Sequence, residues 1–193
     1  MSIASDARFW DRTSRKYARG AIADQAGYER TLDRTRGLLR SGDRVLELGC
    51  GTGTTALQLA GDVQNYLATD ISAGMIAIAN EKYAAGPIPA LVFRTATTEA
   101  LTPDAAQFNA VLVFNYLHLV RDLPGTLRRI HALLCSGGLV HLQDTLRRGY
   151  EPTHPVCLVA RDPRDRQSTL CRRLSGGGAE PAYRCRRLRH SCH

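Results

Sequence analysis

The chemistry of this 193-residue chain concentrates in one nonapeptide, Val45–Gly53, reading VLELGCGTG. Gly49, Gly51 and Gly53 end an apolar run and precede a helical pattern over Thr54–Ala60. A strand that enters a glycine-rich turn and leaves as a helix aims backbone N–H groups and a positive helix terminus at a ligand. Glycine serves there where a side chain would block the ligand or where φ must be positive. The dinucleotide fingerprint asks for its third glycine one position later, where this chain has Thr54, so that fingerprint is not met. No Gly-Lys-Ser/Thr follows, which excludes a phosphate-binding P-loop. Asp70 stands 17 residues beyond Gly53, at the end of the next apolar run. A carboxylate in that place can accept hydrogen bonds from both hydroxyls of a ribose. With Glu47 entering the turn, these residues describe a nucleoside-type ligand lying across two adjacent strands.

Such residues need a sheet behind them. Asp43–Leu48, Asn65–Thr69, Leu91–Arg94, Ala110–Phe114 and Leu139–Leu142 read as strands, the fourth apolar throughout as for a strand covered on both faces. Ser72 caps a helix running to about Ala84, with Met75, Ile76 and Ala79 on one face. Asp122–Leu134 is helical, with Leu123, Leu127, Ile130 and Leu134 at spacings of 4, 3 and 4, and Gly137-Gly138 ends it. Strands alternating with helices predict an α/β fold with a doubly wound, mainly parallel sheet. Ahead of the first strand, Ser5–Ala18 sets Phe9, Trp10 and Tyr17 among charges, and Tyr28–Leu39 is a second amphipathic segment. These helices either cover a sheet edge or act as a lid over a site at the strand ends.

On these segments the chain resembles the class I S-adenosylmethionine-dependent methyltransferases, in their small-molecule branch. The resemblance rests on VLELGCGTG (45–53), ATDIS (68–72) with Met75 following, FNAVLVFNYLHLV (108–120) and LRRIHALLCSGGL (127–139). FWDRTSRKYA (9–18) is similar to the leader helix of that branch, and the likeness extends over about residues 5–144. It implies a Rossmann-like sheet, S-adenosylmethionine as cofactor, and methyl transfer to a small-molecule acceptor. By the same resemblance Glu47, Gly49, Gly51 and Gly53 would face the methionine moiety, with Glu47 near its ammonium. Asp70 would bind the ribose, Ile71 and Met75 would flank the adenine, and Ala96 and Thr97 would pass its edge. Asn115 would lie near the methionine carboxylate or the sulfonium, and Tyr17 would close the pocket. Many relatives carry an acid near position 97, whereas this chain has Ala96-Thr97-Thr98.

Single residues admit plainer readings. Asp70 can simply cap the next helix, and Asn115 can be a turn residue. Cys50, a small thiol inside the loop, reads as inert. His118 could serve as a general base for the acceptor, yet a His among Leu117, Leu119 and Val120 is more often packed than catalytic. His131 and His141 read as structural.

Three segments result: helical cover over 1–42, a cofactor-binding core over 43–144, and an irregular Arg/Cys-rich tail over 145–193. The net charge of +8 divides unevenly, with +6 in residues 141–193 and +2 before them. The body therefore gives no electrostatic case for a nucleic-acid partner. The run Arg184–Arg189 offers only Tyr183 for stacking, so an RNA-directed relative is a third reading. Cys185, His190, Cys192 and His193 lack the paired spacing of a zinc site, and no metal is expected. Tail residues after 144 do not read as the two closing strands of such folds, apart from one apolar stretch at Val156–Ala160. One expectation is thus a degenerate or non-catalytic chain with a frame-shifted or truncated C-terminus, since permitted codons for 140–154 give a strand-like string in the neighbouring frame. No apolar run approaches the roughly 20 residues that span a bilayer, and charges at Asp6, Arg8, Asp11 and Arg12 interrupt any signal-peptide core. A cytoplasmic protein with reduced thiols is the expectation; the oligomeric state is not legible.

Overall fold

A computed structural model describes residues 3–102, 108–143 and 156–159. Two helices, α1 (Ile3–Ala18) and α2 (Gln25–Leu38), lead into β1 (Arg44–Leu48), α3 (Thr54–Leu59), β2 (Asn65–Asp70), α4 (Ala73–Ala84) and β3 (Leu91–Thr95). Then follow β4 (Phe108–Phe114), α5 (Leu123–Leu133), β5 (Leu134–Gln143) and β6 (Val156–Val159). The sheet order is β3-β2-β1-β4-β5-β6, with β1 to β5 parallel and β6 antiparallel to β5. The chain thus moves outward from β1 to β3 and returns to the other side of β1 at β4. That reversal opens a crevice beyond the carboxyl ends of β1 and β4.

Alternation along the strands divides the core. Val45, Tyr66, Ala110 and Leu112 face Leu32 of α2, Ala56 and Leu59 of α3, and Ile76 of α4. Leu46, Leu48, Val111 and Val113 face Ile130 and Leu133 of α5 on the other side. Both faces of β1 and β4 are covered, which is why β4 is apolar at six of its seven positions and β1 is buried at four of its five, Glu47 included. The helix starts follow side-chain chemistry: Asp24, Ser72 and Asp122 each accept a backbone N–H of the helix that follows.

Two segments differ from the sequence expectation. The strand expected at Leu139 begins at Leu134, directly after α5, where Leu134 pairs with Phe108 and both it and Cys135 are buried. Gly137-Gly138 does not stop a helix. Gly137, at φ 72, sits in β5 where the register shifts, so that pairing resumes at Leu139 opposite Ala110. After residue 144, where no strand was expected, the apolar run Val156–Val159 takes the free edge of β5, with His141 opposite Cys157. Residues 144–155 and 160–193, including the tail cysteines and Arg184–Arg189, lie outside the described residues.

α1 lies along α4. A Cβ at Gly74 would stand 3.2 Å from the Asp11 backbone and 2.9 Å from Ser14 Oγ, so glycine sets how closely the two helices approach. Arg15 adds a two-pronged pair to Glu81 at 2.8 and 2.7 Å.

Gly53 joins β1's loop to α3 at φ 73, and a Cβ there would meet Phe93 Cζ at 2.6 Å and Ala79 at 2.9 Å. Gly53→Ala is expected to destabilise the chain by about 2–4 kcal/mol, through left-handed backbone cost and overpacking. Gly37→Ala, on the exposed side of α2 with nothing within 4 Å, is expected to be neutral or stabilising by up to about 1 kcal/mol. Urea denaturation of the two variants checks both.

Candidate functional site

The site begins where β1 runs out. Leu48 ends the strand, and Gly49 and Gly51 take φ of 69 and 54, turning the backbone back on itself. The turn is held from β2: Thr69 O accepts the Cys50 N–H at 2.9 Å, and Asp70 Oδ2 accepts the Gly51 N–H at 3.0 Å. Asp70 Oδ1 accepts the Ser72 N–H at 2.9 Å, tying the same carboxylate to the start of α4. Gly49 has a second reason to be glycine, because a Cβ there would lie 2.6 Å from Tyr116 Cδ2.

Electrostatically, Arg12, Lys16, Lys82 and Arg121 line the cavity, yet its two most buried acids, Glu47 and Asp70, stand without a basic partner among the described residues. Glu47 is only 2% exposed, and its Oε2 accepts the Tyr66 hydroxyl at 2.8 Å. Burial pushes its carboxyl up to about 7, opposed by that hydrogen bond and reinforced by the Asp70 charge. Asp70 is also raised, burial outweighing its two N–H donors. A ligand carrying a cationic group beside Glu47 and vicinal hydroxyls beside Asp70 would supply what the protein leaves out. Burial raises the Cys50 thiol well above its ordinary range, which keeps it protonated and unreactive.

A cavity of about 1440 Å³ opens over this edge. Glu47, Gly49 and Gly51 line it at the loop, Asp70, Ile71 and Met75 beside β2, and Ala96 and Thr97 beyond β3. Thr97 also accepts the Ala100 N–H, so its hydroxyl is engaged in a local turn. Asn115 lines the cavity beyond β4 with φ of 50, and its N–H donates to Gln143 O at 2.7 Å. A non-glycine residue in the left-handed region is a local strain of the kind that gathers at ligand sites. Tyr17 reaches over from α1, within 3.9 Å of where a Gly51 Cβ would be. Two sequence-selected residues stand apart from the wall. Gly53 packs against Phe93 and Ala79, and His118 is exposed in the turn Leu117–Leu119.

Sequence reasoning passed over Tyr116, which lines the cavity, covers Gly49, and shares a 2.8 Å hydrogen bond with Thr98 Oγ1. Its signal was its place directly after Asn115, at the exit of a buried strand. It also passed over Lys82, whose Nζ donates to Thr52 and Thr54 Oγ1 at 2.9 Å each. Among the described residues no group of His, Cys, Asp and Glu is arranged to hold a metal. No described helix is long and apolar enough to cross a membrane.

A doubly wound sheet with a glycine turn after β1 and an acid ending β2 defines a nucleoside-cofactor fold of the methyltransferase type. Residues 45–138 match the methyltransferase domain family, and this match supports a class I S-adenosylmethionine-dependent methyltransferase. It is 36% identical over 99 residues to a ubiquinone biosynthesis O-methyltransferase of Methylocella silvestris, covering 51% of this chain and 38% of that one. It is 33% identical over 122 residues to a 27-O-demethylrifamycin SV methyltransferase of Amycolatopsis mediterranei, covering 61% and 44%. The chain therefore spans less than half the length of these curated relatives. Among solved structures it is similar to a DhpI–SAH complex, at 25% identity and a TM-score of 0.64 over 84% of this chain and 82% of that one. The [4+2]-cyclase SpnF shares the fold, at 22% identity and a TM-score of 0.66 over 75% and 60%.

The raised Glu47 carboxyl gives the ligand-free chain a definite pH dependence. The folded state holds this proton up to about pH 7, whereas the unfolded state releases it near 4.5. The resulting stabilisation is complete below about pH 4.5 and is lost as pH rises through 7, amounting to about 3 kcal/mol. Glu47→Gln should abolish this component, so its stability should fall less than that of wild type between pH 5 and 8. Chemical denaturation across that range measures the difference.

Proposed function

We propose that this chain binds S-adenosylmethionine across β1 and β2 and transfers its methyl group to a small-molecule acceptor with an apolar body. The observation that carries the reading is Asp70 standing beside the Gly49–Gly51 turn, both on the wall of one cavity. In this reading Asp70 takes the ribose hydroxyls, while Ile71 and Met75 flank the adenine and Ala96 and Thr97 border it. Glu47 receives the methionine ammonium, and Asn115 borders the reacting end. The cofactor supplies a methyl group on a sulfonium sulfur that departs as a neutral thioether.

Room for a second ligand supports the acceptor half. A single small-ligand site takes roughly 300–1,000 Å³, less than the cavity's 1440 Å³. Beyond the carboxylates the wall turns apolar, with Ile3, Phe9 and Trp10 from α1, Ile22 after it, and Leu119 and Val120 after β4. Phe9 is 51% and Leu119 46% exposed in the absence of anything covering them among the described residues. An apolar acceptor would bury such surface at roughly 25 cal/mol per Å². Of the charges on that side, Asp6 and Arg121 pair with each other at 2.7 Å, while Arg12 and Lys16 of α1 also border the cavity. With His118 outside the wall, the protein's contribution is to exclude water and hold the nucleophile in line with the methyl group. A cytoplasmic location fits Cys50, a buried thiol outside any disulfide.

Calorimetry with S-adenosylmethionine tests the cofactor half. Affinity should rise between pH 5.5 and 7, because the ligand ammonium favours ionised Glu47 and binding expels its proton. Glu47→Gln should flatten that rise. Absence of binding at high micromolar ligand removes the reading. Methyl transfer from labelled cofactor into an extract of apolar small molecules tests the second half; binding without transfer would leave a cofactor-binding protein that does not methylate.

A further inference from the structure

The covering helix α1 is tied to the Asp70 carboxylate through one serine. Asp11 Oδ1 accepts the Ser72 hydroxyl at 2.6 Å and the Gly74 N–H at 2.9 Å. Ser72 is fully buried; its Oγ in turn accepts the Met75 N–H at 3.0 Å, capping α4. Its own N–H goes to Asp70 Oδ1 at 2.9 Å. Ser72 is therefore held from both sides, by a carboxylate of α1 and by the carboxylate that ends β2. Asp11 itself does not line the cavity. Its bonds to Ser72 and Gly74 keep its carboxyl below the ordinary range, hence ionised, facing the positive end of α4. The other link between the helices, Arg15 with Glu81, is exposed and also away from the cavity. An exposed pair of that kind contributes little to docking.

We propose that Asp11 is a positioning residue for the cofactor pocket: by fixing Ser72 from the α1 side, it sets the orientation in which Ser72 holds Asp70. Docking of α1 and presentation of Asp70 to a ribose are then one event. The same docking brings Trp10 and Tyr17 over the cavity, so the pocket closes as its ribose acceptor is set. This rests on the reading of Asp70 as the ribose-binding carboxylate.

Trp10 is the chain's one tryptophan and lines the cavity, so its fluorescence reports on α1. The full chain and its variants are titrated with S-adenosylmethionine, by calorimetry and by Trp10 emission. Asp11→Ala should weaken binding at least tenfold and suppress the change in Trp10 emission on binding. Asp11→Asn keeps an acceptor oxygen for Ser72 and Gly74, and should bind within threefold of wild type. Arg15→Ala removes the exposed link of the same helix without touching Ser72, and should bind within twofold. Because Asp11→Ala can also disturb folding, Gly74→Ala is a second probe. It keeps both carboxylates, forces the helices apart, and should weaken binding at least fivefold. The proposal is overturned if Asp11→Ala or Gly74→Ala binds within twofold of wild type. It is equally overturned if Asp11→Asn is as weak as Asp11→Ala, or if Arg15→Ala weakens binding as much as Asp11→Ala does. A wild-type chain that fails to bind would overturn the cofactor reading itself, an outcome distinct from these.

Discussion

Asp70 accepts the Gly51 N–H through one carboxylate oxygen and the Ser72 N–H through the other, and the geometry of the site depends on that pair of bonds. The first fixes the glycine turn of β1 against the end of β2. The second fixes the start of α4, and through Ser72 the position of α1. Burial works against the charge on Asp70, and the two N–H donors work for it. The balance leaves an acid that is held in place but incompletely satisfied, at the rim of a cavity. Charge of that kind is stabilised further by a ligand that brings hydroxyl donors to it.

Glu47 is the complementary case. It is buried in β1, with one hydroxyl partner and no basic one among the described residues, and it keeps its proton up to about pH 7. A strand that replaces an apolar residue with such an acid gives up stability at neutral pH. In the proposed reading the two carboxylates mark opposite ends of one ligand, a cation at Glu47 and a diol at Asp70. Fold likeness alone would not decide what that ligand undergoes, since a [4+2]-cyclase shares this architecture. The proposed methyl transfer draws instead on the largely apolar wall that α1 and the segment after β4 build beside the two carboxylates.

The glycine turn, Asp70, the Ser72 cap and the alternation of strands and helices were legible in the sequence because each is a local matter. Positive φ selects glycine, a helix start selects serine, and a doubly covered strand selects an unbroken apolar run. The parts that escaped depend on partners distant along the chain. Tyr116 matters because its ring lies over Gly49, and nothing around Tyr116 in sequence announces that. The early start of β5 depends on Phe108 as a pairing partner, and Gly137-Gly138, a sound helix stop by composition, forms a bulge instead. Val156–Val159 was visible as an apolar run, but only the open edge of β5 makes it a strand. Asp11 reads as one more charge on an amphipathic helix until Gly74 is seen to bring α4 against it.

The most direct test is a crystal structure of the full chain with S-adenosylhomocysteine. The ribose hydroxyls should lie within about 2.6–3.2 Å of the Asp70 carboxylate, with the ligand's amino group facing Glu47 and its chain along the Gly49–Gly51 turn. A ligand bound with its adenine on that turn, or with its ribose away from Asp70, would contradict the account.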